Sequence, residues 1–287
     1  MLKPVKLAAL AVVGAALSAS CAAATTTANS LTAPPLSSTR APSSWWSVYS
    51  AMPLTSYQVP DPEQETIFKA IKALEITCMH GKGYADYSAS DMFYRAETPE
   101  SRLISGTGGP FGYIDAANAE SYGFHPPEIT PPATSEVSTE NEQSAAHACD
   151  TLATQKVPWQ PPLAHFLGDL MATAEISATS DGRVVTAAKK WSACMRGHGF
   201  NEASDPNTFA VQWRSRPSGS KPGSAEVTAA ETDVTCTVDS NLAGVYFGVL
   251  SGYQQELATA NSVDLGKVRQ QIAAEVADAD AIVRSGR

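Results

Sequence analysis

The sequence predicts a mainly α protein built from two duplicated, disulfide-braced helical units that form a bundle, preceded by a disordered N-terminal tether. Three observations predict it. Apolar residues recur at helical spacing through most of the chain beyond residue 60, a seven-residue cysteine motif occurs twice, and no segment shows sustained strand alternation.

The first residues read as an export signal. Lys3 and Lys6 give a short basic start, and Leu7 to Leu17 is an apolar run too short to span a bilayer as a stable anchor. Residues 1–20 are therefore expected to be a signal peptide. The run ends in Leu17-Ser18-Ala19-Ser20-Cys21, small residues before a cysteine, as a lipoprotein signal peptidase requires before acylation, and Cys21 is the expected lipidation site, carrying a palmitate-type anchor. Ser18 stands where a bacterial lipobox usually carries leucine. Ordinary cleavage among the small residues from Ser18 to Ala24, giving a secreted chain, is the alternative.

From Ala22 to Ser44 the chain is almost only Ala, Thr, Ser and Pro, which cannot bury enough apolar surface to offset the entropy of ordering. Residues 21–44 are read as a disordered tether, followed by helical unit 1 at 45–160 and helical unit 2 at 161–287, either as separate lobes or as one fused bundle. Loss of Lys3 and Lys6 with the signal takes the formal charge from −9 to −11. Such an acidic chain lacks the basic footprint of a nucleic-acid binder and has no charge-driven affinity for anionic lipid. No nucleic-acid partner is expected.

With Cys21 assigned to acylation, Cys78, Cys149, Cys194 and Cys236 remain in a chain bound for an oxidising compartment. An even count there favours two disulfides, and four cysteines allow three pairings. The duplication selects one. Cys78-Met79-His80-Gly81-Lys82-Gly83-Tyr84 matches Cys194-Met195-Arg196-Gly197-His198-Gly199-Phe200 at a constant offset of 116 residues, and each half supplies one further cysteine. A unit that pairs within itself joins Cys78 to Cys149 and Cys194 to Cys236.

Both motif copies are placed at a helix end. In the first, Asp61 is read as N-cap, Pro62 as the first helical residue and Gln64 as part of a capping box, with Ile67, Phe68, Ile71, Leu74 and Cys78 at helical intervals. The second helix starts near Asp181 and carries Val184, Val185, Ala188, Trp191 and Met195 on one stripe. Gly81 and Gly197 are expected to take the left-handed conformation that stops each helix. A helix from about Glu140 to Thr154 carries Cys149, another follows Pro161-Pro162 through Phe166 and Leu170, and a long helix from about Ser224 to Asn261 carries Cys236. A last helix runs from about Lys267 to Arg284. Ser105 to Tyr113, His125 to Thr139 and Ser215 to Ser224 are read as connections.

The motif Cys-Met-x-Gly-x-Gly-aromatic, with Ala230-x-x-Asp233-Val234-x-Cys236 ahead of more helix, resembles a group of secreted actinobacterial lipoproteins of unknown function. The likeness is best from about Asp181 to Leu257, covers about half the chain, and extends to Tyr122-Gly123-Phe124 as an aromatic-glycine segment. The resemblance implies export, a lipid-anchored cysteine and paired cysteines, and no activity.

Cys78-Met79-His80, His147-Ala148-Cys149 and Cys194-x-x-x-His198 gather soft ligands suited to copper(I) or zinc, but none has the Cys-x-x-Cys spacing of a strong zinc site, and oxidised cysteines cannot ligate. Ser218-Gly219-Ser220-Lys221 fits a Ser-x-x-Lys pattern but lies in a Gly/Pro linker. Gly106, Gly108 and Gly109 lack the lysine of a phosphate loop, and Asp278 and Asp280 suit a solvated helix face. Trp45-Trp46 fits a bundle contact, with a membrane interface or ligand groove as the alternatives. The expectation is thus no catalytic residue, no cofactor and no metal. The chain reads as an extracytoplasmic lipoprotein at the outer face of the cell membrane, acting as a non-catalytic interaction module for an envelope protein or ligand, with a copper- or zinc-binding envelope protein and a cell-envelope hydrolase as alternatives.

Overall fold

The computed structural model describes residues 31–36, 42, 45–88, 111–126, 139–158, 164–213 and 221–285. Cys21, the Gly106–Gly109 segment, Ser218 to Ser220 and most of the 125–139 connection lie outside the described residues. Among the described residues every regular element is helical. They are α1 (Trp45–Tyr49), a 3-10 turn (Thr55–Tyr57), α2 (Asp61–Gly81), α3 (Ala116–Tyr122), α4 (Glu140–Lys156), α5 (Ala164–Ser180), α6 (Gly182–Gly197), α7 (Pro206–Val211), α8 (Ser224–Asp239), α9 (Leu242–Ala260) and α10 (Ser262–Ser285).

Local chemistry sets most of the starts. Asp115, Thr139, Asp181 and Asp205 each precede a helix and accept a backbone N–H from its first turn, which satisfies donors that have no partner inside the helix. The start of α2 differs from the sequence reading. Pro60 is the N-cap, so Asp61 and Pro62 already lie within the helix, and Asp61 acts through its charge at the positive helix end.

The long helix expected from Ser224 to Asn261 is two helices. It breaks at Asn241, whose φ of 50° is left-handed, a conformation that asparagine tolerates better than other residues with a Cβ. The break redirects the chain, so that α8 packs on α3 and α6 while α9 packs on α5 and α6. A single unbroken rod could not present both faces this way. The last helix starts five residues earlier than expected, directly after Asn261.

The principal core lies among α5, α6, α8 and α9, filled by Trp45, Leu54, Trp191, Met195, Leu242 and Leu250. A second, smaller core joins α2, α4 and α10 through Ile67, Ile71, Ala153, Val157 and Ala279. Helices drawn from 45–160 and from 161–287 pack on one another, α10 along α2 and α3 along α8. Leu31 onward forms one compact unit.

One stretch of the expected tether is ordered. Leu31 to Leu36 runs extended over the surface with Pro34 buried, and Leu31 and Leu36 pack half-buried against the principal core. Composition pointed to disorder because the segment is short of apolar area by itself. What orders it is a seat on the body. Pro34 lies over Gly252, where any Cβ would collide with the proline ring, and the Pro34 carbonyl accepts from Arg183 Nη1 at 2.6 Å.

Candidate functional site

The two cysteine motifs fold alike, down to individual hydrogen bonds. In the first copy Lys82 N–H donates to the Cys78 and Met79 carbonyls, Gly83 N–H to His80, and Tyr84 N–H back to Met79. In the second, His198 donates to Cys194 and Met195, Gly199 to Arg196, and Phe200 to Met195. The donor that reaches five residues back marks a Schellman stop. Each stop is made by a glycine at φ 95°, and these are Gly83 and Gly199, not Gly81 and Gly197 as the sequence suggested. Gly81 and Gly197 are the last helical residues. Met79 and Met195 are both fully buried, and the aromatic that follows each stop, Tyr84 or Phe200, packs half-buried against the apolar cluster to which that methionine belongs. The likeness continues: Tyr87 N–H donates to Tyr84, and Ala203 N–H to Phe200, both at 3.2 Å.

This geometry holds each cysteine one turn before the stop. Cys78 is bonded to Cys149 of α4, with Cα atoms 5.7 Å apart, and Cys194 to Cys236 of α8, at 5.6 Å. The pairing expected from the duplication is the one present. In both bridges the downstream sulfur partner, Cys149 or Cys236, is fully buried.

Of the metal candidates, one trio comes together among the described residues. The Cys194 and Cys236 sulfurs and a ring nitrogen of His198 lie within 4.8 Å of one another. Both sulfurs are joined in the bridge, so neither is a thiolate, which is the form that binds metal. His80 is engaged otherwise, its Nε2 lying 3.2 Å from the Tyr87 carbonyl, and His147 is exposed on α4.

Residues that motif searching missed form the most elaborate polar arrangement. Glu226 and Asp233 lie two turns apart on one face of α8, both buried. They face two aromatic-glycine-aromatic triplets, Phe111-Gly112-Tyr113 and Tyr122-Gly123-Phe124. Asp233 Oδ1 accepts from Trp191 Nε1 at 2.8 Å, and the carboxylate also accepts from the Gly112 amide. The Gly112 carbonyl in turn accepts from Trp45 Nε1 at 2.7 Å. A Cβ at Gly112 would stand 2.9 Å from Asp233 Oδ2, so the backbone approaches the carboxylate only because residue 112 has no side chain. Glu226 Oε1 accepts from Phe124 N–H at 3.1 Å and lies 3.8 Å from His125 Nε2, which donates to the Trp213 carbonyl at 2.8 Å. Gly123, at φ 62°, places its backbone where a Cβ would collide with Glu226. Burial pushes the Asp233 carboxyl up to about 7, only partly offset by the Trp191, Gly112 and Thr237 donors.

A third buried carboxylate, Asp181, does a different job. It caps α6, accepts from Arg183 Nε at 2.8 Å and Nη2 at 2.7 Å, and accepts from the Tyr253 hydroxyl at 3.2 Å. The Arg183 hydrogen bonds hold its carboxyl down at about 2 against the burial that would raise it. Arg183, thus fixed in orientation, presents Nη1 to the strap at Pro34.

The tryptophan pair resolves as packing for Trp45, which is buried against Phe111 and Phe247 at ring-centroid distances of 5.6 and 5.1 Å. Half-buried Glu175 on α5 is a further titratable group. Burial raises its carboxyl, and its charge adds to the burial that raises the hydroxyls of Tyr49 and Tyr246. Asp280 is paired with Arg284 at 2.9 Å, and Asp278 is exposed.

Two open grooves mark the described surface. One, of about 420 Å³, runs between the 3-10 turn and α10, with the Arg269 guanidinium 4.0 Å over the Tyr57 ring and Glu63, Ile272, Val276 and Asp280 around it. The other, of about 530 Å³, lies between the strap and α9, lined by Pro34, Pro35, Gln255, Glu256 and Thr259. No described helix is long and apolar enough to cross a membrane. No protein-family model, curated protein or solved structure matches the chain.

Proposed function

We propose that this chain is an extracytoplasmic, lipid-anchored interaction module with no catalytic centre of its own, held at the outer face of the cell membrane through Cys21. One observation carries the non-catalytic part: the chemistry-bearing groups at its centre are already engaged in holding the fold. The carboxylates of Asp181, Glu226 and Asp233 each accept from named backbone, indole or guanidinium donors, and the four sulfurs near the motifs form bridges. A general acid or nucleophile needs a free lone pair or proton aimed at substrate space, and these groups point into the protein.

What supports the anchored part is the sequence: a short basic start, an apolar run, and small residues leading to Cys21. The test is purification of the full chain from membranes, followed by intact mass and labelling with an active-site serine probe. A diacylglycerol-modified Cys21 and an unlabelled protein are expected. Stoichiometric labelling would overturn the non-catalytic reading, and an unmodified Cys21 would overturn the anchor.

The proximity of Cys194, His198 and Cys236 favours one rival reading, a copper or zinc centre that forms when the bridge is open. That reading requires free thiols and one metal per chain in material isolated without added metal.

A further inference from the structure

We propose that the slot at Gly252 on α9 is a recognition site for a proline-bearing extended segment of a partner protein, filled by the chain's own strap from Leu31 to Leu36 when no partner is bound. The inference deepens the interaction-module reading, on which it rests, by giving the chemistry of the partner.

Three contacts build the slot. Pro34 is buried while Thr32, Ala33 and Pro35 are exposed, and its ring fills the space that the missing side chain of Gly252 leaves on α9. The Pro34 carbonyl accepts from Arg183 Nη1 at 2.6 Å. Thr32 N–H donates at 3.4 Å to Oε1 of Glu256, one turn along α9 from Gly252. Arg183 is already oriented for its part. Its Nε and Nη2 donate to Asp181 at 2.8 and 2.7 Å, and Asp181 accepts in turn from the Tyr253 hydroxyl at 3.2 Å. A guanidinium fixed in this way has little freedom left to lose when its outer N–H groups meet a carbonyl.

What these contacts read is general rather than private to the strap. Two of the three go to main-chain groups, an N–H and a C=O, which any extended segment offers at the same spacing. Only the ring is a side-chain requirement, and proline meets it with φ already fixed and little entropy to lose on docking. Leu31, three residues before Pro34, and Leu36, two after it, pack half-buried against the principal core. The slot therefore selects an apolar residue, two unrestricted residues, proline, one unrestricted residue and a second apolar residue. A shaped pocket for proline with hydrogen bonds to an extended backbone is a recurring mode of peptide recognition.

The seat is also wider than its occupant. The groove of about 530 Å³ lies open between the strap and α9, running past Gln255 and Thr259, and leaves room for a bulkier segment. Joined to Trp45 by residues 37–44, the strap acts as an intramolecular ligand at an effective concentration on the order of millimolar. A partner segment displaces it once affinity or local concentration exceeds that competition.

The probe is a synthetic peptide copying residues 31–36, blocked at both ends and added to the full-length chain. Pro34→Arg empties the slot without altering its walls, and circular dichroism checks that the variant stays folded. Calorimetry is expected to show one peptide bound per Pro34→Arg chain, with the unaltered chain at least about tenfold weaker because its own strap competes. A peptide with alanine in place of the first proline should not bind. Adding Gly252→Leu to the variant should abolish binding, and adding Arg183→Gln should weaken it about tenfold or more. A second readout needs no variant. In isotope-labelled unaltered chain, unlabelled peptide at about 10 mM, above the effective concentration of the strap, should replace the nuclear Overhauser contacts between the chain's Pro34 ring and the Gly252 α-protons with contacts from the peptide ring. Retention of the chain's own contacts under that excess, or no binding to folded Pro34→Arg chain, would overturn the slot as a ligand site and leave the interaction-module reading standing. Equal affinity for the proline and alanine peptides would overturn proline recognition. A dimer of the unaltered chain that Pro34→Arg dissociates would overturn the partner in favour of strap exchange between copies. Labelling by the serine probe, in contrast, overturns the non-catalytic reading without changing peptide affinity.

Discussion

Replacing Asp233 separates a structural carboxylate from a catalytic one. Asp233→Asn keeps the shape but leaves one oxygen acceptor where the Trp191 indole, the Gly112 amide and the Thr237 hydroxyl converge, so at least one of them must face an NH₂ group. A buried donor left unpaired costs about 1–3 kcal/mol, and Asp233→Ala, which abandons all of them, costs about 3–6 kcal/mol once the cavity is included. The loss depends on pH, with a definite sign. The folded carboxyl titrates near 7 against 3.8 for the ordinary group, so the folded state holds a proton that the unfolded chain has released. Stability of the parent protein therefore falls as pH rises from about 4 to about 7 and is level above that. Asparagine has no such slope. Its penalty relative to the parent is expected to shrink by about 3 kcal/mol between pH 5 and pH 8. Urea titrations of both chains with bridges intact, followed by tryptophan fluorescence and far-UV circular dichroism at the two pH values, measure this directly. Equal stability of parent and variant at pH 5, or a penalty that grows toward pH 8, would refute the assignment of Asp233 as a mostly neutral buried acceptor.

The remaining predictions concern the acid limb, the stops and the bridges. Asp181, held down at about 2, stabilises the fold above pH 4, and that contribution of about 2 kcal/mol is lost as pH falls from about 4 to 2. Asp181→Asn should accordingly flatten the acid limb of the stability curve. Gly83→Ala and Gly199→Ala meet no neighbouring atom, so each should cost only the conformational strain of a positive φ, about 1–2 kcal/mol by thermal melting. Gly123→Ala adds a collision with Glu226 to the same strain and should cost clearly more than either. Replacing both Cys194 and Cys236 by alanine should lower stability by about 2–5 kcal/mol, read by denaturant midpoint, because the bridge closes a loop with a separation of 42 residues.

The helical class and the cysteine pairing were legible because both depend on periodicity: apolar residues at helical spacing, and a motif repeated at fixed offset. The four N-cap positions occupied by Asp and Thr follow from hydrogen-bonding chemistry that sequence carries, although only Asp181 was singled out. The exact stop of each motif helix was not legible. Two glycines in Gly-x-Gly can each adopt the left-handed conformation, and the choice of Gly83 and Gly199 goes with the Tyr84 and Phe200 N–H groups reaching back to the Met79 and Met195 carbonyls. The break at Asn241 was hidden for a related reason. Asp239-Ser240-Asn241 is only mildly unfavourable in a helix, and it is the packing of α8 and α9 on different neighbours that makes a turn there worthwhile.

The buried carboxylates were harder still. Glu226 reads from sequence as an ordinary acid in the first turn of a helix, and Asp233 stood out only as part of a motif shared with the resembled group. Apart from Thr237, one turn on from Asp233, their donors come from residues 112, 124 and 191, far away in the chain, so no local pattern reports the arrangement. The signal that could have found them is the pair of aromatic-glycine-aromatic triplets, since a glycine between two large aromatics marks a close backbone approach. The strap was missed because composition measures what a segment can bury by itself, and here the seat belongs to α9.

Peptide mapping of the non-reduced chain, isolated from membranes with free thiols blocked at lysis, tests the central claim most directly. Linked peptides joining Cys78 to Cys149 and Cys194 to Cys236, with no blocked thiol at any of the four, are the predicted result. Blocked thiols at Cys194 and Cys236, or a crossed pairing between the two motifs, would contradict it.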